Sequence, residues 1–358
     1  MNDNALFTDS RGAVAVMVAI SLVMLLGFAA LVIDIGHALV TRNELQNVAD
    51  AAVLAGARQL GKIYEPLTPA QQATYTLTSQ DQSAIIAAVQ AVAQQNYAAG
   101  TAIVIGPADI QIGDWSNATK TLTVTNSVPD AVRARARRDS SASGNTPIST
   151  FLAGLMGVQS IDVSAPATAA LTGQSTTTPG ELDAPFGISE DWFTSFGCNQ
   201  PIKFHPTGTP IGCAGWTTFN DPANANTLRN TVIDGLLNGT YTTPPVTVGQ
   251  TPLNFFGGSV ASAFPNLINL WNAQKIADAS SPTGFSWEIF VAVYGGAAGC
   301  ANPTGALPIV GFANVKVTNV QDAPTQQIDG IVTCGQVNDG RGGGSDFGTM
   351  GSIPGLVQ

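Results

Sequence analysis

The sequence contains few charged residues and almost no histidine. Only 11% of its 358 residues are charged, and the two histidines are His37 and His205. A His-based metal site or catalytic dyad would have to be built around His205, because His37 lies beside a long apolar run. The chain also lacks the G-x-S-x-G and H-E-x-x-H motifs and a phosphate-binding glycine loop between a strand and a helix. These absences argue against an enzyme, and the sequence indicates no cofactor and no small-molecule substrate.

Positive charge is scarce as well. The formal net charge is -10 with a pI near 4.4, and one dense basic run contains Arg133, Arg135, Arg137 and Arg138. This balance excludes sequence-independent binding of nucleic-acid phosphates as a main function. If the run is a strand, Arg133, Arg135 and Arg137 share one face. That face could contact lipid head groups or an acidic partner, or it could simply be solvated.

Cysteine is confined to the carboxyl-terminal part of the chain. The four residues are Cys198, Cys213, Cys300 and Cys334. An even number in one region predicts two disulfides formed in an oxidising compartment, and three pairings are possible. Four buried thiols in a cytosolic protein are the alternative. Cys198 with His205 could form a nucleophile and base, but oxidation of Cys198, with Cys213 as a nearby partner, is the favoured interpretation.

The strongest single signal is an apolar run near the amino terminus. Ala13 to Ile33 comprises 21 residues without a charge, which as a helix would span about 31 Å and match the hydrocarbon core of a bilayer. A cleaved signal peptide is the alternative, because Gly27-Phe28-Ala29 and Gly36-His37-Ala38 resemble cleavage sites, but its apolar core would normally be shorter. We therefore expect a retained single-pass anchor with a cytoplasmic amino terminus and the bulk of the chain exported.

The helix is expected to continue beyond the membrane and to end at Gly61 as a C-cap. Within it, Leu45, Val48, Ala52 and Ala55 form a narrow apolar stripe that would permit close helix packing. The stripe could bind a partner helix or pack on the chain's own downstream domain. Asp34, which closes the apolar run, could reach the head-group region or select a partner helix.

The residues from Arg11 to Leu60 resemble the amino-terminal region of TadG-like proteins of the Tad (Flp) pilus-assembly systems. The matching pieces are an Arg-Gly start, the apolar span closed by Asp34 and Gly36, and Leu45-Gln46 followed by Ala49-Asp50-Ala51-Ala52. The resemblance implies a single-pass inner-membrane protein without enzymatic activity, whose partners are the lipid bilayer and other pilus-assembly or envelope proteins. It departs from prepilins, because Met17 stands five residues after Gly12, where prepilin-like relatives carry Glu.

Further along the chain the pattern predicts two exported domains of an α+β protein. An amphipathic helix at 82–98 and three or four short strands between 100 and 138 indicate a small α+β domain. The weaker resemblance continues through a short helix around Phe151 to Val158 and through Ile161 to Leu171. The predicted organisation is an anchor helix at 1–61, an α+β domain at 62–171, a linker at 172–180, a β-rich domain at 181–340 and a disordered Gly-rich tail at 341–358.

Two further functions stay open on the sequence alone. One is a secreted or surface adhesin-like β protein that signal peptidase releases. The other is a metal-dependent adhesion domain, because Asp139, Ser141 and Ser143 match the D-x-S-x-S pattern, whose oxygens could bind a divalent cation. The flanking residues favour a polar turn for this string. The favoured interpretation is a non-catalytic, membrane-anchored protein that acts by binding.

Overall fold

A computed structural model describes residues 10–141, 145–205, 212–258, 260–296 and 303–358. Short 3-10 turns cover Pro107–Asp109, Ala153–Met156 and Ala261–Ala263, and a π-helix covers Thr227–Ile233. The α-helices in these ranges are α1 Ser10–Tyr64, α2 Pro69–Gln72, α3 Ser79–Gln94, α4 Glu190–Ser195, α5 Asp234–Asn238 and α6 Phe264–Gln274.

The strands are short, with two exceptions in the second half of the chain. They are β1 Tyr97–Ala98, β2 Thr101–Ala102, β3 Ile110–Ser116, β4 Thr121–Val124, β5 Ala131–Arg138, β6 Ile148–Ser149, β7 Ser160–Ile161, β8 Val163–Ala170, β9 Phe186–Ser189, β10 Pro201–His205, β11 Ala214–Phe219, β12 Pro252–Phe256, β13 Ile276–Ala277, β14 Phe285–Tyr294, β15 Thr304–Gln321, β16 Gln327–Thr333, β17 Gln336–Arg341, β18 Thr349–Ile353 and β19 Gly355–Leu356.

The first domain is built on the carboxyl-terminal half of α1. This half packs against α3, β5 and β8. The sheet is antiparallel, in the order β19-β8-β5-β3-β4. Alternation along β5 buries Val132, Ala134 and Ala136 completely under the helices, as the sequence predicts. Small side chains on the sheet face let the helix approach closely.

The helix α1 ends at Tyr64, so the predicted C-cap at Gly61 was wrong. Gly61 is instead required by close packing, because a Cβ at this position would lie 2.2 Å from the carbonyl oxygen of Ser352 in β18. The glycine allows the helix and that strand to touch backbone to backbone. The chain leaves the helix one turn later, and the next long helix, α3, starts with a capping box formed by Thr78 and Asp81.

The second domain contains a closed ring of five strands. The ring runs β9-β11-β12-β15-β14 and back to β9; the β9–β14 pair is parallel and the others are antiparallel. The later half of the long strand β15 also pairs with β16, which in turn pairs with β10. The predicted β-rich domain is therefore present.

Both faces of the ring are buried. On β14, Ile289, Val291 and Val293 belong to one core cluster, whereas Phe290 and Tyr294 belong to another. This explains the uninterrupted apolar run from Ile289 to Tyr294, which is buried on both faces of the strand. Trp192, Trp216 and several phenylalanines fill the larger cluster.

The Gly-rich end of the chain is ordered, contrary to the expected disordered tail at 341–358. β17 pairs in parallel with β18, and β19 joins the edge of the first domain's sheet beside β8. Glycine is needed here because the backbones touch: a Cβ on Gly173 would lie 2.1 Å from the carbonyl oxygen of Ser345. The high glycine content, which by itself predicts disorder, here allows the backbones to pack closely.

The expected linker at 172–180 is also fixed in place. The N–H of Ser175 donates to the carbonyl of Arg341 at 2.7 Å, and the N–H of Thr177 donates to that of Val246 at 2.9 Å. Gln174 is fully buried. The segment lacks apolar side chains because backbone hydrogen bonds, rather than burial of side chains, hold it between the two domains.

Candidate functional site: the junction of the apolar helix with the first domain

The amino-terminal half of α1 exposes its apolar side chains. Within the described residues, this is the one helix long and apolar enough to cross a membrane. Ile20, Leu25, Phe28 and Val32 are each more than half exposed. The carboxyl-terminal half of the same helix is the core of the first domain. One unbroken helix therefore joins an apolar surface suited to lipid with a folded domain.

Asp34 marks the change from the exposed half to the packed half. It follows the last residue of the apolar run and is only 3% exposed. Its carboxylate accepts hydrogen bonds from the backbone N–H groups of Phe151 at 2.6 Å, Leu152 at 3.2 Å and Ala153 at 2.6 Å. These N–H groups lie at the start of a 3-10 turn, where no backbone carbonyl of the turn can pair with them.

The charge of Asp34 is stabilised at this position. Burial acts to raise the pKa of the carboxyl, but the three backbone hydrogen bonds and nearby His37 outweigh it, so the pKa lies below its ordinary value. Asp34 is thus ionised at neutral pH. It fixes a loop 117 to 119 residues away in the chain against the edge of the apolar segment.

That loop is closed by the hairpin of β6 and β7. Here we call the segment Thr150–Gln159 the 150–159 loop. The N–H of Thr150 donates to the carbonyl of Gln159 at 3.2 Å, and the Thr150 hydroxyl donates to the carbonyl of Val158. The Phe151 ring meets His37 edge to face, 5.3 Å between centroids, yet stays 66% exposed. Hydrogen bonds thus fix the loop backbone while its aromatic side chain faces outward.

The predicted partner-helix stripe lies inside the chain's own first domain. Leu45, Val48 and Ala52 are between 0 and 1% exposed, and Ala55 is half-buried. Of the two alternatives for the stripe, the structure agrees with packing on the chain's own downstream domain. These three side chains are therefore not accessible to another helix. Asp34 likewise binds within the chain.

The three cysteines that the structure describes in the second domain are oxidised. Cys198 and Cys334 form a disulfide, with 5.4 Å between Cα atoms, so among the three pairings that the sequence leaves open, the one that joins Cys198 to nearby Cys213 does not occur. The spacing of 15 residues did not decide the pairing; β10 and β16, which the two cysteines flank, bring Cys198 to Cys334. Cys213 is also disulfide-bonded, and Cys300 lies outside the described residues.

The alternative chemical sites do not assemble. Cys198 is oxidised and cannot serve as a nucleophile with His205. His205 is buried against Phe264, with its Nδ1 at the carbonyl of Gln326. No cluster of metal-binding side chains occurs in the part of the chain that the structure describes.

The D-x-S-x-S string forms a turn as far as it is described. The N–H and hydroxyl of Ser141 donate to Asp139 at 2.9 and 2.8 Å, and Arg137 donates to Ser141 at 2.8 Å. Ser143 lies outside the described residues. The Asp139 carboxylate is thus engaged by local donors, which is typical of a polar turn.

Only some of the arginines in the basic run present their charge to solvent. Arg137 pairs with Asp109 at 3.0 Å, and the buried Arg138 donates to the carbonyls of Ala98 and Ala99. Arg135 stays exposed and donates to Ser164. The run therefore joins parts of its own domain, and less of its charge is available to a partner than the sequence suggests.

Sequence reasoning missed the contact between Asp34 and the 150–159 loop. Asp34 and the segment Phe151–Val158 were each singled out, but nothing in one sequence pairs positions more than a hundred residues apart. The available signal was an acidic residue at the end of an apolar helix together with an uncharged, Gly-containing apolar loop.

Comparison with known families matches two stretches of the chain. Residues 12–59 match a family described as Flp pilus-assembly TadE/G-like, and residues 55–169 match one described as Tad-like Flp pilus-assembly. The two stretches meet within α1, at the helix that joins the apolar segment to the first domain. No curated protein matches the chain significantly, and no solved structure does.

Proposed function

We infer that the chain is a TadG-like Flp pilus-assembly protein, because residues 12–59 match the TadE/G-like family and residues 55–169 match the Tad-like Flp pilus-assembly family, as the resemblance of Arg11–Leu60 predicted. We propose that the chain is a membrane-anchored, non-catalytic component of an Flp (Tad) pilus-assembly system. We also propose that it spans the inner membrane once, with its amino terminus in the cytoplasm, and that its two exported domains bind pilus or envelope proteins.

The observation that carries this proposal is the continuity of α1. A single helix presents an exposed apolar half and also supplies the fully buried Leu45, Ala49 and Ala52 to the domain core. The family match covers the same helix and the domain built on it. A protein released by cleavage at Ala38 would lose Asp34, whose carboxylate holds the backbone of Phe151 and Ala153 against the helix. This supports an anchor that is retained.

Binding rather than catalysis is supported by the state of the reactive residues. Cys198 is held in a disulfide, and His205 is buried among aromatic rings. The oxidised cysteines support export to an oxidising compartment, and export in turn supports a topology in which the bulk of the chain lies across the membrane from the amino terminus.

Deleting the gene from its bacterium tests the proposal, with Flp pilin sheared from the cell surface as the readout. We expect deletion to reduce surface pilin and the full-length gene to restore it. The matched control is residues 39–358 exported behind a cleavable signal peptide, which lacks the apolar run and should not restore pilin. Unchanged surface pilin after deletion would refute a role in assembly, whereas rescue by the released form would favour the secreted alternative.

A further inference from the structure

The 150–159 loop lies at the level where the apolar run of α1 ends. Its position is set by Asp34, which directly follows Ile33 and holds the backbone of Phe151 and Ala153 at 2.6 Å. A residue next to the end of a membrane span lies in the interfacial region of the bilayer. If the apolar run of α1 crosses the bilayer, the loop therefore lies at the membrane surface.

The loop and the neighbouring helix face expose apolar side chains that continue the span. Phe151 is 66% and Val158 50% exposed, and on α1 Ile35, Leu39 and Val40 are between 48 and 56% exposed. Val40 lies about 10 Å along the helix axis beyond Ile33. No residue from Thr150 to Gln159 carries a charge. In water this would be an exposed apolar patch of a kind that soluble domains avoid.

We propose that the 150–159 loop is a second membrane-contact element, which inserts Phe151 and Val158 into the interface of the leaflet at the carboxyl-terminal end of the span. The inference rests on the membrane anchoring in the proposed function. The occupant is lipid because the patch is uncharged and continuous with the apolar surface of α1. Aromatic side chains are enriched at that depth in membrane proteins.

Two attachment points would orient the exported domain. A single helix permits tilt and rotation, whereas a loop fixed to the same helix by Asp34 and inserted beside it restricts both. The first domain, built on the same helix, would then be presented at a defined angle to the bilayer, and the second domain with it through the backbone pairing of 172–180.

The test uses the full-length chain in vesicles of phosphatidylcholine and phosphatidylglycerol. Phe151→Cys is labelled with the fluorophore NBD without reductant, so that the native disulfides stay closed. Leu31→Cys, in the span, and Thr119→Cys, on an exposed turn of the first domain, are the matched controls. Nitroxide lipids carry the quencher either near the glycerol or near the methyl end of the acyl chain. Unlabelled wild-type protein sets the background.

We expect loss of emission at position 151 with the shallow quencher, little loss with the deep one, and none at position 119. Quenching at 31 without quenching at 151 would overturn the loop proposal, leave the anchor intact and point to a protein as the occupant. Absence of quenching at both positions would mean that the anchor itself is wrong.

A second variant tests the role of Asp34. In Asp34→Asn the charge that attracts three N–H groups is lost, so the loop should separate from the helix. Quenching at 151 should then fall while quenching at 31 persists. Asp50→Asn, on the same helix but paired only with Gln46 at 2.7 Å, is the control and should change neither. Unchanged quenching at 151 in Asp34→Asn would show that Asp34 does not set the position of the loop.

Discussion

The two folded domains are stabilised in different ways. The first is a sheet whose core is completed by α1, the helix that also carries the apolar segment. The second is a strand ring whose cores come from its own strands and short helices and whose described cysteines are oxidised. The difference teaches that the helix with the exposed apolar segment is itself part of the first domain's core, whereas the core of the second domain does not depend on α1.

The side chains used by the two domains follow from this difference. In the first, alanines such as Ala52, Ala134 and Ala167 are fully buried where helix meets sheet. Small residues bring α1 close, so that many backbone atoms are in contact. In the second, Trp192 and Trp216 are fully buried. Large aromatic side chains fill the space around a ring that no long helix covers.

The largest effect that separates the domains should come from Leu45→Ala. Removing this fully buried side chain leaves a cavity in the first domain's core and should cost roughly 2 to 5 kcal/mol. Leu39→Ala, six residues earlier on the same helix and 56% exposed, is the matched control. Hydrogen exchange of the full-length protein in micelles should show loss of protection in α3 and β5 but not in β14. Equal loss in β14 would contradict independent cores.

The second domain should respond to loss of its disulfide. Replacing Cys198 and Cys334 together by Ser opens a bond that links positions 136 residues apart, which should cost roughly 2 to 4 kcal/mol. Protection should fall in β10 and β16 while α3 is unchanged. Peptide mapping without reductant should find Cys198 joined to Cys334 and Cys213 joined to Cys300. Any linkage of Cys198 to Cys213 would refute the pairing.

A smaller effect is expected where the end of the chain meets the first domain. Gly61→Ala would place a Cβ 2.2 Å from the Ser352 carbonyl, so β18 must shift, at a cost of about 1 to 3 kcal/mol. At Gly36 a Cβ meets nothing within 4 Å, and Gly36→Ala should leave stability unchanged or raise it slightly. Proteolysis near 350 should increase only in Gly61→Ala; equal cleavage in both variants would mean that the close approach is unimportant.

The last effect is the pH dependence that Asp130 gives to the stability of the first domain. Burial raises the pKa of Asp130 to about 7, helped by the charges of Asp114 and Asp346, despite a 2.7 Å hydrogen bond from the N–H of Trp115. Because the folded-state pKa lies above the unfolded value, this contribution to stability is fully present below about pH 4 and is lost as the pH rises through about 7.

The Asp130→Asn variant should remove that dependence. Thermal unfolding between pH 4 and 8 should show a smaller fall in stability than for the wild type, by roughly 3 to 4 kcal/mol for a pKa raised from 3.8 to about 7. The amide hydrogen exchange of β14 should depend on pH in the same way in both proteins. A variant with an unaltered pH slope would show that Asp130 does not titrate in this range.

Local patterns in the sequence predicted the helices and strands well. The apolar run, the amphipathic pattern around Ile85 and Val89 and the alternation along β5 each reflect burial that neighbouring residues share. They indicated an α+β protein with a β-rich end, which the structure confirms.

The errors concern backbone contacts between distant positions. The sequence pattern predicts a helix end at Gly61, a linker at Gly173 and a disordered tail at Gly344. It does so because a glycine at the end of a periodic apolar pattern, or outside one, usually marks a turn or loop. In the structure each permits a close backbone approach. The hydrogen bond from the N–H of Phe151 to Asp34 was not predicted either, because a contact between positions 117 residues apart leaves no periodic signal in the sequence.

Intact-mass analysis of the protein purified from membranes, alkylated without prior reduction, tests the central claim most directly. A chain that retains the apolar run through Ile33, with four unmodified cysteines and a mass lower by four hydrogens, is the result expected for an anchored protein with two disulfides. A chain that begins after Ala29 or Ala38, or one that carries four alkylated thiols, would contradict the account.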